Sequence, residues 1–236
     1  MTAAGEALTS IILPIRNQED HVEGILRGYL RALAPLPGDY ELIVVTNACT
    51  DRSPEIAARV AEAGPRVRHV DLEGGGWGRS VKAGLRFARG DLLCYTNAAR
   101  TTPEILTLML AYALAYPEVV LKANRRTRES RRRRLGSLLY NLEVRALFDL
   151  SAWDINGTPK IFPRRFEKLL ELARDDDLID AEFNVVCRRE GYPMIEVPIL
   201  ATERHGGRST TGYRSALRMY VGAFELRREL RAGDAG

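Results

Sequence analysis

The chain has 236 residues, 45% of them hydrophobic, and a formal charge of +4, which suits one α/β domain with a substantial core and excludes an unstructured or uniformly basic chain. Its longest apolar run, Ile105 to Tyr116, is too short to cross a bilayer, and the opening "MTAAGEALTS" has neither the basic start nor the apolar core of a secretory leader. A cytoplasmic protein is therefore expected, and Cys49, Cys94 and Cys187, few and widely spaced, suggest neither a disulfide framework nor a zinc site.

In chain order, apolar runs of strand length alternate with segments of helical period. The predicted strands are 10–15, 41–46, 66–72, 91–96 and 118–123, and between them "EDHVEGILRGYLRAL", "SPEIAARVAEAG", "WGRSVKAGLRFARG" and "TPEILTLMLAYALAY" carry apolar residues at helical spacing. Several of these open on Ser, Thr or Pro and close on Gly. The order β-α-β-α predicts a mostly parallel, mixed sheet with helices on both faces, and ligands bound beyond the carboxyl ends of the strands. The second half predicts a basic helix over 131–148, a strand over 158–162, helices starting at Arg164 and Ala181, a strand over 194–199 and a last helix over 212–230. No Gly-, Pro- or Ser-rich linker divides the chain, so the second half completes the same sheet, and the final residues form a loose end.

Two stretches concentrate the functional signal. "GDLLCYTNAARTTPEIL" delivers a polar turn, Thr96 to Ala99, to a sheet edge, yet the turn holds no carboxylate, histidine or thiol. "RRTRESRRRR", Arg125 to Arg134, holds seven arginines and one glutamate. That run reads either as a solvated helix start or as a site for phosphate, nucleic acid or an anionic membrane surface; nucleic acid is the weakest of these, since no aromatics interleave the arginines.

Taken together, "IILPIRNQEDHVEGIL", "ELIVVTNACTDRSPEIA", "GRSVKAGLRFARGDLLCYTNAA" and "DINGTPKIFPRR" resemble the successive blocks of a family 2 glycosyltransferase with the GT-A fold. The later "IDAEFNVVCRREGYPMIEVPI" and "ERHGGRSTTGYRSAL" resemble the polyprenyl-phosphate sugar transferases of the dolichyl-phosphate mannose synthase type. The resemblance runs from about Ser10 to about Leu226 with the blocks in family order. It implies a single GT-A domain over 1–236, with a nucleotide-sugar half (1–124), an acceptor half (125–230) and a tail (231–236).

On the donor side, the resemblance assigns Pro14, Arg16, Asn17, Thr46 and Asn47 to the nucleotide. Family members usually carry acidic residues at 46 or 47; hydroxyl and amide keep hydrogen bonding but lose the charge-assisted part, on the order of 1 kcal/mol per contact. Asn17 and Asn47 also have a plain reading as turn and cap residues. Asn97, Ala98 and Ala99 stand where the family has its D-x-D, the aspartate pair that binds the sugar diphosphate and its divalent metal. Asn97 offers one neutral oxygen and Ala99 none, so no tightly bound magnesium or manganese is expected. Arg125, with Arg126 beside it, matches an arginine placed to neutralise the departing diphosphate; Arg79, in the glycine turn "GGGWGR", is a weaker candidate. Asp71 and Glu73 lie at another strand end, without a spacing that suggests metal.

On the acceptor side, a lipid phosphate is already ionised and needs positive charge and positioning more than a general base. Arg133, Arg134 and Ser137, with Arg204 and Ser209, match positions that hold it, and Arg204 is assigned with Asp154 to the chemistry. A hydroxyl acceptor would instead need a carboxylate base, and Asp154 and Glu182 are the candidates, each with a competing reading as a structural brace. His205 reads as a loop residue. Peripheral membrane contact would come from the arginine run and the amphipathic tail. The expected function is an inverting transfer from a nucleotide-sugar to a phosphorylated polyprenyl lipid or related acceptor, possible without metal; the alternative is a catalytically silent relative that binds nucleotide or sugar.

Overall fold

The computed structural model describes residues 8–126, 131–200 and 213–233. Seven strands form one sheet: β1 (Leu8–Ile15), β2 (Asp39–Asn47), β3 (Val67–Leu72), β4 (Leu92–Tyr95), β5 (Val120–Arg125), β6 (Lys160–Pro163) and β7 (Met194–Ile199), in the order β3-β2-β1-β4-β6-β5-β7. β1 pairs in parallel with β2 and β4, β2 with β3, and β5 with β7, whereas β6 runs antiparallel to both β4 and β5. The expected mostly parallel mixed sheet is thus present, with a single reversed strand driven into its middle.

Alternate residues of the central strands feed two cores. Ile11, Leu13 and Ile15 of β1 with Leu42 and Val44 of β2 pack under α1 (Val22–Leu33) and α4 (Pro103–Ala115). Ile12, Ile43 and Val45 face α3 (Trp77–Phe87) and α6 (Ile179–Arg189) on the other side. Burial on both faces explains why these strands are continuous apolar runs rather than alternating ones. A third cluster joins α5 (Arg131–Phe148), α6 and α7 (Tyr213–Gly233) through Tyr140, Val144, Val185 and Leu226; α2 (Ser53–Glu62) lies beside β3 and α1.

One local expectation changes. The helix expected from Arg164 is one 3-10 turn, Glu167–Leu170, because Arg164 still belongs to the sheet edge: its N–H donates to Asp91 O at 2.7 Å and its guanidinium to Gly90 O and Ala88 O. The apolar helix α4 buries Leu106, Met109 and Leu110 but leaves Leu108 and Tyr112 exposed, as is Tyr116 just after it, since only one side of the helix meets the sheet. Its start follows the sequence signal, with Pro103 in the first turn and Thr102 Oγ1 accepting from Ile105 N at 3.3 Å.

The loop before β6 presses against β5: a Cβ at Gly157 would fall 1.9 Å from Ala123 O. Gly157→Ala is therefore expected to destabilise the fold by about 1–3 kcal/mol through forced backbone displacement, measured as a lower midpoint in urea; an unchanged midpoint would show that the loop can move away freely.

Candidate functional site

The carboxyl ends of β1, β2, β3, β4 and β5 converge along one edge of the sheet, with the start of β6 reaching the same edge from the opposite direction. On the β1–β3 side, loops are sewn to one another. Pro14 is buried inside β1 opposite Val45, while Arg16 and Asn17 beyond it are exposed. Asn17 takes a positive φ of 50° and its Oδ1 accepts from Thr50 N at 2.8 Å. Asn47 donates from Nδ2 to Ile15 O at 2.9 Å, closing the gap between the first two strand ends. Thr46 is fully buried; its Oγ1 lies 2.6 Å from Asp71 Oδ1 and 2.8 Å from His69 Nε2. Burial lowers the pKa of His69, with Asp71 working against it, so the ring is neutral near pH 7. One hydroxyl proton then goes to the carboxylate, and the imidazole N–H donates to the same oxygen.

The turn after β4 is closed on itself. Asn97 Oδ1 accepts from Ala99 N at 3.1 Å, Asn97 O accepts from Arg100 N and Thr101 N, and the Thr96 and Thr101 hydroxyls meet at 2.7 Å. Ala98 and Ala99 are fully buried. The two side-chain oxygens of this turn, Asn97 Oδ1 and Thr96 Oγ1, are thus both engaged within it or with Thr101, and the methyl groups contribute none. Among the described residues no group of three His, Cys, Asp or Glu stands close enough to hold an ion. The residues at this position do not fit a divalent metal held by protein carboxylates.

Between β4 and β7 the edge contains a buried charge network. Arg125 grips Asp154 in a bidentate pair, Nε to Oδ2 at 2.7 Å and Nη2 to Oδ1 at 2.8 Å, and its N–H adds a third bond at 3.1 Å. Lys122, fully buried, donates to Glu196 Oε1 at 2.8 Å and to Asp154 O at 2.7 Å. Glu196 in turn accepts from Trp153 N and Asp154 N. Lys160, the register partner of Lys122, pairs with Asp180. Asp180 also accepts from Tyr95 Oη at 3.0 Å and Trp77 Nε1 at 3.1 Å. Burial, only partly offset by Asp180, lowers the Lys160 pKa to about 8, with the neighbouring Lys122 charge adding to the shift, and burial likewise lowers Lys122.

The geometry thus places Arg125 and Asp154 together, and the brace among the readings of Asp154 is the one its contacts favour. Glu182 accepts from Ala173 N at 2.8 Å and Arg174 N at 2.9 Å, fixing the loop before α6. Ser137 sits partly buried on α5. The side chains of Arg133 and Arg134, and all of Arg204, His205 and Ser209, lie outside the described residues. Sequence reading missed the partners Asp180, Lys122 and Glu196. A visible signal existed: lysines within the otherwise apolar runs "VVLKAN" and "TPKIF" require buried counter-charges.

The family model described as Glycosyl transferase family 2 matches residues 10–172. An undecaprenyl-phosphate 4-deoxy-4-formamido-L-arabinose transferase of Pseudomonas fluorescens (strain SBW25) is 32% identical over 222 residues, covering 92% of this chain and 63% of that protein. Glycosyltransferase AglD of Haloferax volcanii is 30% identical over 209 residues, covering 84% of this chain and 33% of AglD. The chain therefore spans about a third to three-fifths of the curated relatives it matches. Among solved structures, glucosyl-3-phosphoglycerate synthase from Mycobacterium tuberculosis, in complex with Mn2+, uridine diphosphate and phosphoglyceric acid, superposes with a TM-score of 0.72 at 18% identity, covering 95% of this chain and 79% of that one.

Two outcomes follow from the network. Asp154→Ala strands the Arg125 guanidinium and is expected to cost about 3–5 kcal/mol of stability, read by urea titration; a loss under about 1 kcal/mol would mean the pair behaves as an exposed one. Lys160 titrates near pH 8 when folded against 10.5 as its ordinary value, so between those values the unfolded chain binds the extra proton and stability from this group rises with pH. The pH dependence of Tm should lose that rise in the neutral Lys160→Met/Asp180→Asn double variant; identical profiles would show that Lys160 is not the titrating group.

Proposed function

The chain belongs to glycosyl transferase family 2, and from that premise we propose that it transfers a sugar from a nucleotide-sugar to a polyprenyl phosphate, with inversion, and with arginines in place of a protein-held metal. In this reading residues 1–124 hold the donor and residues 125–230 the acceptor; the tail expected from 231 starts later, since α7 runs on to Gly233. Pro14, Arg16, Asn17, Thr46, Asn47 and Asn97 surround the donor, with Arg125 and its neighbour Arg126 on the diphosphate side. Arg133, Arg134, Ser137, Arg204 and Ser209 receive the acceptor phosphate.

The observation that carries the reading is the chemistry of the sheet edge. No carboxylate stands in the turn after β4, and one strand end further on the chain passes from Arg125 into the arginine run. A lipid phosphate attacks the anomeric carbon through an oxygen that is already anionic, the bond to the nucleotide diphosphate breaks, and the charge left on that leaving group must be met by cations. No proton has to be removed from such a nucleophile, which agrees with an Asp154 whose two oxygens are both engaged by Arg125. The relatives whose names specify undecaprenyl phosphate support the acceptor class.

A peripheral place at a membrane accompanies this acceptor. No helix among the described residues is long and apolar enough to span a bilayer, but Leu138, Leu139 and Leu142 on α5, close in sequence to the arginine run, are exposed, as are Val221 and Phe224 on α7, which packs on α5 through Tyr220 and Tyr140. Such a combination of apolar surface and positive charge suits an anionic interface.

The test is transfer to undecaprenyl phosphate from a panel of nucleotide-sugars, with donor binding followed by calorimetry in magnesium and in EDTA. Donor affinity is expected to survive chelation. Arg126, exposed at the end of β5, can be removed without unpairing Asp154, and Arg126→Ala is expected to weaken donor binding by about 1.5–3 kcal/mol. Strict dependence on magnesium or manganese would overturn the metal-free reading. Donor binding without turnover on any polyprenyl phosphate would favour the silent relative, for which the absence of carboxylates at Asn97 and Ala99 is the motive.

A further inference from the structure

α5 is apolar on the side it turns to water. From Gly136 to Ala146 its exposed residues are Gly136, Leu138, Leu139, Leu142 and Ala146, none of them polar, while Ser137, Asn141, Glu143 and Arg145 are partly or fully buried. An ordinary surface helix turns its polar side outward and its apolar side to the core. Here Tyr140 and Val144 already fill the core side, and Leu138, Leu142 and Arg145, spaced i, i+4 and i+7, form one row along the outside.

That row ends on a fixed aromatic. Trp153 is 58% exposed, and the Arg145 guanidinium carbon stands 3.8 Å from the centroid of its ring. Arg145 Nε is itself held by Leu150 O at 3.2 Å, so one face of the indole is covered by a cation that the adjoining loop keeps in place. The Trp153 backbone is fixed as well: the two oxygens of Glu196 accept from Trp153 N at 2.8 Å and from Asp154 N at 3.1 Å, and the buried Lys122 pins that carboxylate. Asp154 turns inward to Arg125 while Trp153 turns outward. An indole held through both its backbone and its ring loses little freedom when a ligand settles on its remaining surface.

The surface has a direction. α5 opens on four arginines with no acid in its first turn, continues through the exposed leucines, and reaches Arg145 and its stacked Trp153 about 12 Å along the axis from Ser137. Positive charge followed by an apolar track matches an amphiphile with a phosphate head and a single apolar chain. α4 also exposes Leu108 and Tyr112, but its first turn carries Glu104 instead of arginines, so it has no end that attracts an anion. We propose that the outer face of α5 is a rail for the prenyl chain of the acceptor: the first isoprene units leave the phosphate, lie over Leu138 and Leu142, and end against the exposed surface of Trp153. The proposal rests on the reading of the acceptor as a polyprenyl phosphate and adds that the protein binds the chain as well as the phosphate, and with which residues. A bilayer would cover the same leucines, but it does not call for an indole immobilised from two sides; a chain bound in one position does.

The experiment measures Kd by calorimetry for inorganic phosphate and for farnesyl phosphate below its micelle concentration, on the full chain as wild type, Trp153→Ala, Trp153→Phe and Leu142→Ser, with Tm followed for each. The wild type is expected to bind farnesyl phosphate about ten-fold or more tighter than inorganic phosphate. Trp153→Ala and Leu142→Ser should each weaken farnesyl phosphate by about three- to ten-fold, the size of losing part of a large apolar contact, and leave inorganic phosphate unchanged; Trp153→Phe should recover most of the loss. With undecaprenyl phosphate as acceptor, Trp153→Ala and Leu142→Ser should raise KM more than they lower kcat. A loss confined to Trp153→Ala and accompanied by a lower Tm would report a disturbed Asp154 loop and overturn the rail, since Leu142 lies outside that loop. Equal affinity of the wild type for the two phosphates, or farnesyl phosphate binding that no variant weakens, overturns it as well. Variants that keep farnesyl phosphate but lose binding to vesicles of phosphatidylglycerol and phosphatidylcholine make this face a membrane surface and likewise overturn it. Each of these failures leaves the transferase reading standing if the wild type still transfers sugar to undecaprenyl phosphate; a folded wild type that binds neither phosphate and transfers to no acceptor overturns both.

Discussion

Two lysine ammonium groups, Lys122 and Lys160, stand fully buried side by side on β5 and β6, and the middle of the molecule is arranged to answer their charge. Desolvating an ammonium costs several kcal/mol unless a counter-ion and hydrogen bonds replace its water. Glu196 comes from β7 to meet Lys122, and Asp180 from the first turn of α6 to meet Lys160. Each carboxylate then recruits further donors: Trp153 N and Asp154 N for Glu196, Tyr95 Oη and Trp77 Nε1 for Asp180. Through these bonds β4, β6, α3 and α6 are tied at one point, and β5 to β7 at another. The reversed strand β6 is the element that makes this possible, since it places Lys160 between Tyr95 and Lys122 in the sheet.

The same arrangement shapes the edge where ligands bind in α/β sheets. Asp154 is consumed by Arg125, so the third cation of the network is neutralised from within the protein. What remains toward solvent differs on the two sides. Beyond β1 and β3 stand Arg16 and the anchored Asp71; beyond β5 stands Arg126, leading to the arginine run. The turn between them, Asn97 to Ala99, is closed by its own hydrogen bonds and carries no charge. An edge of this kind presents guanidinium groups, whose five donors match phosphate oxygens at fixed geometry.

Much of the fold was legible in the sequence because its strands are buried on both faces and bounded by polar turns. β7 coincides with the run 194–199 and α5 with 131–148, and the other strand ends differ by three residues or fewer. The failed helix from Arg164 shows the limit: propensity favours a helix there, but the Arg164 guanidinium is spent on Ala88 O and Gly90 O across the sheet. The site was legible in part. Its residues cluster by strand end, which chain order reveals; whether a residue such as Asp154 is free or paired depends on a partner twenty-nine positions away.

The sequence by itself determined the alternation of strands and helices, the family and the loss of carboxylates at Asn97 and Ala99, because periodicity, block order and residue identity are local properties of the chain. Only the tertiary structure decided which charges meet. It paired Arg125 with Asp154, Lys122 with Glu196 and Lys160 with Asp180, and it set Thr46 against Asp71. The physical reason is that the strength and the partner of an ionic contact depend on distance and on exclusion of water. Both arise when strands distant in sequence become neighbours in the sheet, and neither is written in the spacing of residues along the chain.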